Sequence, residues 1–261
     1  ENSENLFANF KSLTMLTLSR TVNGHLIAPD THLVKSMRYM FYNNPELLKI
    51  HLDGFDTSRV ENMSEMFRGI GSTGIEVSKL NELKLDSGFN TSRVKDMSYM
   101  FRQTGLKRID LKNFDTSSVT NMSCMFAKAS NLTSLDLGSF DTSNVTDMNN
   151  MFDYNISLTS LNVGSFNTSN VTDMHSMFSE CSALSELDVS GFDTSSVTNM
   201  ETMFNRCMKL TKIYGLENFD TSNVKNMQNM FDHCAELTSL DVSGFDTSNA
   251  TNMAAMFARL P

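Results

Sequence analysis

The chain has no tryptophan, and it is poor in proline and cysteine, with 3 Pro and 4 Cys among 261 residues. So few cysteines exclude a small scaffold held together by disulfides. No apolar run approaches the ~20 residues that a helix needs to cross a bilayer. The sequence shows no signal peptide and begins at Glu1 rather than at a methionine. We therefore interpret it as a mature region or an excised fragment.

Positive charge is missing from the middle of the chain. Residues 129–205 contain 10 Asp or Glu and no Lys or Arg, and the whole chain has a formal net charge of −9. An acidic chain without a basic, aromatic surface argues against nucleic-acid binding. Because 40% of the residues are hydrophobic and 20% are charged, the composition indicates a globular protein rather than a disordered one.

Methionine, in contrast, is abundant and periodic. Of 20 Met, 18 lie in nine copies of Met-x-x-Met-Phe, and successive copies are mostly 25 to 27 residues apart, with one step of 34. A fixed period in this range indicates one supersecondary unit stacked on copies of itself. The copies begin at Met37, Met63, Met97, Met122, Met148, Met174, Met200, Met227 and Met253.

One clean copy shows what each unit contains. It begins at Leu132 with Leu-Thr-Ser-Leu-Asp-Leu, whose apolar alternation and short length predict a strand. Phe-Asp-Thr-Ser follows from Phe140, and its polar residues favour a turn. Met148, Met151 and Phe152 have the spacing of one face of a short helix. We therefore predict an α/β solenoid, a leucine-rich-repeat-like array of about nine to ten strand–turn–short-helix units with one parallel β-sheet face.

The repeats also predict the domain organisation, a single solenoid over residues 1–261. Residues 1–29 form an atypical first unit or cap, and an insertion at 19–29 predicts a loop at the edge of the array. Regular repeats occupy residues 30–257, with a second inserted loop at 68–79. The strand expected after the last repeat is missing, which predicts a truncated array with an open end capable of end-to-end self-association.

Two residue types in the repeats invite a chemical interpretation. The methionines have thioether sulfurs that bind soft metals, but their phase with Phe favours a buried core. Cys181, Cys207 and Cys234 occupy one position in three successive units, and Cys124 lies elsewhere in its unit. We predict free thiols, with a disulfide between neighbouring units as the first alternative and a metal site as the second.

Catalysis finds little support in the sequence. Its five His residues share no repeat position outside the predicted helix region. Neither insertion contains a histidine, carboxylate and nucleophile with a signature spacing. We predict that the protein is not an enzyme and that it requires no cofactor and no metal.

Three phrases together carry a family resemblance: Leu-Thr-Ser-Leu-Asp-Leu, Phe-Asp-Thr-Ser-Asn-Val-Thr-Asp-Met and Met-Phe-x-x-Cys. Over residues 30–257 the chain resembles the BspA-like surface-protein repeats. More narrowly, it is similar to a repeat of about 26 residues first catalogued as a mycoplasma surface-lipoprotein domain of unknown function. The resemblance implies a leucine-rich-repeat-like solenoid on a bacterial cell surface, acting in adhesion. The chain departs from the pattern at Pro29 and Ala250, and it shows no anchoring motif.

Function should lie where the copies differ. The outward strand position holds His51, Lys84, Asp110, Asp136, Asn162, Asp188, Tyr214 and Asp241 in successive units, about 5 Å apart if the strands pair. We predict an extracellular adhesion module that binds a host, matrix or partner-cell protein. A stalk that holds another domain off the cell surface and a glycan-binding module are the alternatives, and calcium is a further ligand of the acidic position. Membrane or cell-wall attachment would need segments outside this chain. The residues predicted to bind the partner are Asp110, Asp136, Asp188, Tyr214 and Asp241.

Overall fold

The computed structural model describes residues 2–22, 25–69, 77–86 and 88–261. Its main feature is a parallel ladder of backbone bridges that joins each unit to the next along the chain. Each bridge involves the residue immediately before the first Met of a unit. The ladder runs through Asn2, Ser36, Asn62, Asp96, Asn121, Asp147, Asp173, Asn199, Asn226 and Asn252. The predicted solenoid of stacked, parallel units is thus confirmed, and each unit is one coil of it.

The strands are short, three residues each. They are β1 (Met15–Thr17), β2 (Arg20–Val22), β3 (His25–Ile27), β4 (Lys49–His51), β5 (Glu82–Lys84), β6 (Ser134–Asp136), β7 (Ser160–Asn162), β8 (Glu186–Asp188) and β9 (Lys212–Tyr214). A 3₁₀ turn follows at Leu216–Asn218. Among the described residues, no helix has the length and hydrophobicity of a transmembrane span.

Parallel pairing joins the strands of successive coils in three groups: β1-β4-β5, β6-β7 and β8-β9. The first insertion differs from the predicted loop, because β2 and β3 pair antiparallel as a hairpin. Its residues 23–24 lie outside the described part of the chain, as do residues 70–76 of the second insertion. At the borders of that insertion, the N–H groups of Gly69 and Ser78 donate to the carbonyls of Arg102 and Gln103.

The predicted short helix is not confirmed, because each Met-x-x-Met-Phe segment is a run of turns. In the unit that begins at Met122, Cys124 and Lys128 have positive φ angles of 55° and 58°, which an α-helix does not contain. The N–H groups of Met122 and Cys124 donate to carbonyls of the next coil over 3.1 and 2.9 Å. Consecutive turns and a helix both bury residues at i, i+3 and i+4. The spacing alone therefore could not distinguish them.

The apolar residues of the repeat form a continuous core. Met148, Met151 and Phe152 are 0% exposed, which confirms the core interpretation of the methionines. The Phe rings that end the segments stack from Phe7 to Phe257, with centroids of successive rings 5.5 to 5.9 Å apart. Offset stacks of this kind contribute beyond the area they bury. Each coil thus depends on the coils on both sides of it.

In the Phe-Asp-Thr-Ser turn, the aspartate and the threonine make different hydrogen bonds. Asp141 Oδ1 accepts from the N–H of Ser143 at 2.9 Å, an Asx turn. The buried Thr142 hydroxyl donates to the Asn167 carbonyl at 2.9 Å and accepts from the Asn167 N–H at 2.8 Å. Threonines at this position donate to the next coil in the same way throughout the array. The threonine therefore joins coils, and the aspartate shapes the turn.

Candidate functional site on the strand face

The strand face is the row of outward side chains at the last position of each strand and at the matching position of coils without a strand. The register places His51 beside Lys84, Asp136 beside Asn162 and Asp188 beside Tyr214. Asp110 and Asp241 occupy the matching position in coils without a strand. All five predicted partner-binding residues are exposed.

The aspartates of the strand face are held in place by hydrogen bonds. Asp188 Oδ1 accepts from the N–H and hydroxyl of Ser190 at 2.9 and 2.6 Å. Asp136 Oδ1 accepts from the N–H of Gly138 at 3.0 Å and from Asn162 Nδ2 at 2.8 Å. Asp241 Oδ1 accepts from the Ser243 N–H at 3.0 Å. Each carboxylate thus shapes the turn after its strand. The Asp-x-Ser and Asp-x-Gly spacing was the sequence signal for this role, which the prediction missed.

These bonds also orient the carboxylates, and for two of them they favour the charged form. Hydrogen bonds from Ser190 and Ser243 lower the pKa of Asp188 and Asp241. Among the described residues, the Oδ2 atoms of Asp136, Asp188 and Asp241 have no hydrogen-bond partner. Each of these side chains therefore presents one fixed, negatively charged oxygen to a partner.

The remaining two predicted residues are already engaged. Asp110 forms an ion pair with Lys112 at 2.9 Å, and a hydrogen bond from the same lysine lowers its pKa. The Tyr214 hydroxyl donates to Glu186 at 3.3 Å. Lys212 Nζ lies 4.2 Å from the centroid of the Tyr214 ring. Because an ammonium covers one ring face, the tyrosine offers less surface for stacking on a sugar.

Grooves interrupt the strand face where the sheet breaks. Within the described residues, no backbone hydrogen bond joins β5 to residues 107–111. The groove there has a volume of about 210 Å³, and its lining includes Leu83, Lys84, Asp86, Phe89, Arg108, Ile109, Asp110 and Phe114. A second opening, of about 390 Å³, is lined by Asp110 and Asp136 among others. A third, of about 400 Å³, includes Asp241. Three of the five predicted residues therefore border grooves.

The cysteines at the shared repeat position donate hydrogen bonds to backbone carbonyls. All four are free and buried, in agreement with the prediction of free thiols. Cys207 Sγ donates to the Phe178 carbonyl of the preceding coil at 3.1 Å, and Cys181 and Cys234 make the equivalent bond. Asn155 fills this position with its amide, bonding to the Phe126 carbonyl at 3.0 Å. Burial raises the pKa of Cys234 to about 12. The position takes a small buried residue, which is Ala129 in one coil, and its Cys and Asn side chains join the coil to the preceding one.

One serine–histidine–carboxylate arrangement lies on the opposite side of the coils. Ser176 Oγ is 3.3 Å from His175 Nε2 but only 2.6 Å from the Thr202 hydroxyl. His175 Nδ1 is 3.9 Å from Glu201 Oε2, which is too long for a hydrogen bond. The grooves described above do not include these residues. Among the described residues, no three His, Cys, Asp or Glu side chains converge closely enough to hold a metal ion.

The carboxylate of Asp153, on the same side of the coils, is largely removed from water. Desolvation raises the pKa of Asp153 to about 6, although Lys128 and a hydrogen bond with Ser179 act in the opposite direction. The folded state therefore binds a proton at Asp153 more tightly than the unfolded chain does. Its contribution to stability falls as the pH rises from about 4 to about 6, and the full cost remains above that range.

We expect Asp153→Asn to stabilise the protein at pH 7, by roughly 1–3 kcal/mol, and to have little effect near pH 4. The amide keeps the size of the side chain and removes the charge. Urea unfolding at both pH values measures the difference. Asp141→Asn is the control, because hydrogen bonds from Ser143 lower the pKa of Asp141, and its effect should have the opposite sign. An equal effect of Asp153→Asn at both pH values would contradict the assignment.

Comparisons with known proteins add a family match. The model described as "Mycoplasma protein of unknown function, DUF285" matches residues 4–106, 75–187 and 184–260. No curated protein matches the chain. A leucine-rich repeat protein from Bacteroides ovatus ATCC 8483 is 14% identical and aligns over 93% of this chain and 83% of its own, with a TM-score of 0.24. One from Eubacterium ventriosum ATCC 27560 is 16% identical over 87% and 80%, with a TM-score of 0.25.

Proposed function

This chain belongs to the DUF285 family of mycoplasma proteins of unknown function, the family that its repeats resemble, and we propose that it is a non-enzymatic binding module. Its strand face binds a partner protein through basic side chains of that partner. The extracellular, cell-surface location and the role in adhesion are part of the same proposal. They rest on the family resemblance of the repeat motifs.

The observation that carries the proposal is the set of fixed carboxylates beside the grooves. Asp136 and Asp241 border openings in the sheet, and each has one oxygen held by the protein and one free. Because these side chains are already ordered, binding costs less side-chain entropy. The Lys- and Arg-free stretch at 129–205 leaves the coils of Asp136 and Asp188 without cations of their own. Such a surface steers a basic partner toward it.

We expect neutralisation of the strand face to weaken partner binding without loss of folding. The triple variant Asp136→Asn, Asp188→Asn and Asp241→Asn keeps Oδ1 as an acceptor, just as Asn162 Oδ1 accepts from the Gly164 N–H at 3.2 Å. An array of matrix proteins, cell-surface proteins and glycans identifies ligands of the purified protein. Surface plasmon resonance then compares the variants, and we expect at least about a tenfold loss of affinity and a weaker salt dependence.

The matched control removes the same charge from the other Asx turn. Asp193 and Asp220 follow the buried Phe of their coils, and each accepts from the serine two residues later. Asp193→Asn with Asp220→Asn and Asp246→Asn should leave affinity within about twofold of the unaltered protein. Equal losses in both triple variants would reject the strand face as the binding surface. Capture of glycans alone would favour the glycan-binding alternative.

The stalk function is favoured by a different observation, the uninterrupted ladder from Asn2 to Asn252. A stack joined in every coil is a stiff spacer. Deletion of residues 148–199, two complete repeats, separates the two functions. A stalk would keep its activity with a shorter reach, whereas a binding surface that includes Asp188 would lose affinity.

A further inference from the structure

The groove between β5 and residues 107–111 is a wedge between two coils that remain joined elsewhere. The Met-x-x-Met-Phe segments of these coils keep their backbone bridge. Closer to the strands, the rings of Phe89 and Phe114 are inclined to each other at 26°. The equivalent rings of Phe166 and Phe192, in two later coils, are nearly parallel at 5°. The two coils therefore part at the strand face and stay together on the other side.

A shortened loop accounts for the wedge. Five positions separate Phe101 from Leu106, one fewer than in the coils that follow. The loop is drawn tightly against the preceding coil, where a Cβ atom at Gly105 would lie only 2.0 Å from the Ser78 carbonyl oxygen. The N–H of Gly105 also donates to Ser78 Oγ at 3.1 Å. Because only glycine permits so close an approach, the wedge is a consequence of the sequence of this coil.

The wedge uncovers apolar side chains that other coils bury. Ile50 and Leu135 occupy the central position of their strands and are 1% and 2% exposed. Leu83 and Ile109 occupy the same position on the two walls of the groove, and both are half-buried. An aliphatic side chain placed between them would remove apolar surface of both from water.

The groove is also elongated. Its 210 Å³ opening and another of about 430 Å³ share Asp86, Phe89 and Asn113 in their linings. Together the two openings follow one wall from Leu83 to Ser92. A groove that runs along the chain direction of its walls suits an extended polypeptide.

The walls present backbone groups that are paired in other coils. Where strands pair, the residue after the strand donates to the next coil, as the N–H of Leu137 does to the Asn162 carbonyl at 3.1 Å. At the wedge the corresponding donor is the N–H of Leu85, and the corresponding acceptor is the Asp110 carbonyl. Neither group has a hydrogen-bond partner among the described residues. A residue in extended conformation offers both a carbonyl and an N–H, and so it can bond to both groups.

Arg108 gives the groove its preference for charge. Glu82 holds the corresponding position on β5, but it bonds away from the groove, to Lys49 at 2.6 Å and to His51 at 2.8 Å. The exposed Arg108 side chain has no hydrogen bond or ion pair within the described part of the chain. A carboxylate brought into the groove would therefore find an unused guanidinium.

The other charged side chains that line the groove are already engaged. Asp110 pairs with Lys112 at 2.9 Å, and Lys84 pairs with Asp53 at 2.8 Å. Asp86 accepts hydrogen bonds from two backbone N–H groups, at 2.7 and 3.0 Å. The charge still available to a ligand is thus positive.

We propose that this groove binds an extended, acidic segment of a partner polypeptide, added as a strand at the break in the sheet. A carboxylate of the segment pairs with Arg108, and an aliphatic side chain packs on Leu83 and Ile109. The backbone of the segment bonds to Leu85 and Asp110. Because side chains alternate along a strand, acidic residues face outward while the aliphatic one faces the core. The groove takes the opposite charge from that proposed for the strand-face aspartates, and it does not depend on their function.

The chain itself supplies matched probe peptides. Residues 184–190, Leu-Ser-Glu-Leu-Asp-Val-Ser, contain an acidic strand, and residues 210–216, Leu-Thr-Lys-Ile-Tyr-Gly-Leu, contain a basic one in the same register. Fluorescence anisotropy of the labelled peptides measures the affinity of each for the purified protein. We expect the acidic peptide to bind at least about tenfold more tightly than the basic one, and its affinity to fall as salt is raised. Equal affinities, or no binding of the acidic peptide, would overturn the proposal.

Charge reversal locates the bound peptide. Arg108→Glu should weaken binding of the acidic peptide at least about tenfold. Lys209→Glu reverses the same charge at another exposed residue, outside the groove, and should leave affinity within about twofold. Circular dichroism confirms the fold of both variants. Equal losses in the two variants would overturn the assignment to the groove.

Two further measurements test the backbone pairing and the independence of the site. Methylation of the backbone nitrogen at the second leucine of the acidic peptide removes a donor, and should weaken binding about tenfold. An N-methylated peptide that binds as well as the parent would overturn the addition of a strand. The triple variant Asp136→Asn, Asp188→Asn and Asp241→Asn should still bind the acidic peptide within about twofold of the unaltered protein. Loss of that binding would place the peptide outside the groove.

Discussion

Phe178→Ala should destabilise the protein by about 3–5 kcal/mol, more than any other single change considered in this protein. Phe178 is 0% exposed, and its ring stacks on Phe152 and Phe204 with both centroid distances at 5.6 Å. Truncation to alanine removes the ring from two interfaces at once. It also leaves a cavity that neighbouring rings cannot fill, because their own positions are fixed by further coils. Urea unfolding followed by circular dichroism measures the loss.

The array supplies its own control for this prediction. Phe257 closes the last segment, stacks only on Phe231 among the described residues, at 5.9 Å, and is 46% exposed. Phe257→Ala should therefore cost only about 1 kcal/mol. Similar losses at the two positions would show that stacking between coils contributes little. A loss confined to Phe178→Ala would show that the stability of an inner coil depends on both neighbours.

The second large effect should follow from Thr142→Val. Valine has nearly the same shape, but it removes the hydroxyl that donates to the Asn167 carbonyl and accepts from the Asn167 N–H. Thr142 is 1% exposed, and so water cannot replace either bond. A buried group left without its partner costs about 1–3 kcal/mol. The free energy of unfolding of Thr142→Val should fall by that amount.

Thr142→Ser distinguishes the hydroxyl from the methyl group. Serine keeps both hydrogen bonds and loses one buried methyl group, which should cost about 1 kcal/mol or less. If serine proved as harmful as valine, packing rather than hydrogen bonding would explain the threonine. The same comparison at Thr194, whose hydroxyl donates to the Asp220 carbonyl at 2.9 Å, should repeat the result.

The sequence predicted the stacking of the coils but not the backbone of one half of each coil. A repeat of Met and Phe in fixed phase indicates a shared core whatever the local backbone is. The helix prediction failed because helical spacing describes which side chains are buried, not where the N–H groups donate. In a lone segment, residues such as Tyr99 or Thr202 would rarely adopt positive φ angles of 59° and 54°. The hydrogen bonds to the next coil offset that strain.

The candidate binding surface was also predicted only in part from the sequence. The outward row that includes Asp136 and Asp188 followed from strand alternation, and the register places these residues beside Asn162 and Tyr214. The grooves did not follow, because a repeat pattern contains no information on where pairing between strands fails. The contact of Arg68 with the rings of Tyr42 and Tyr99 was missed for a related reason. The three residues lie in different repeats, and the predicted helix would have pointed their side chains in other directions.

The different continuity of the two sides has a consequence for how a partner could bind. The side that carries the Met-x-x-Met-Phe turns is bonded from coil to coil without interruption, whereas the strand side separates into groups with grooves between them. A partner of the strand face would therefore meet several separate openings along a rod rather than one continuous pocket. Such a row of openings suits an extended, flexible polypeptide better than a compact globular domain.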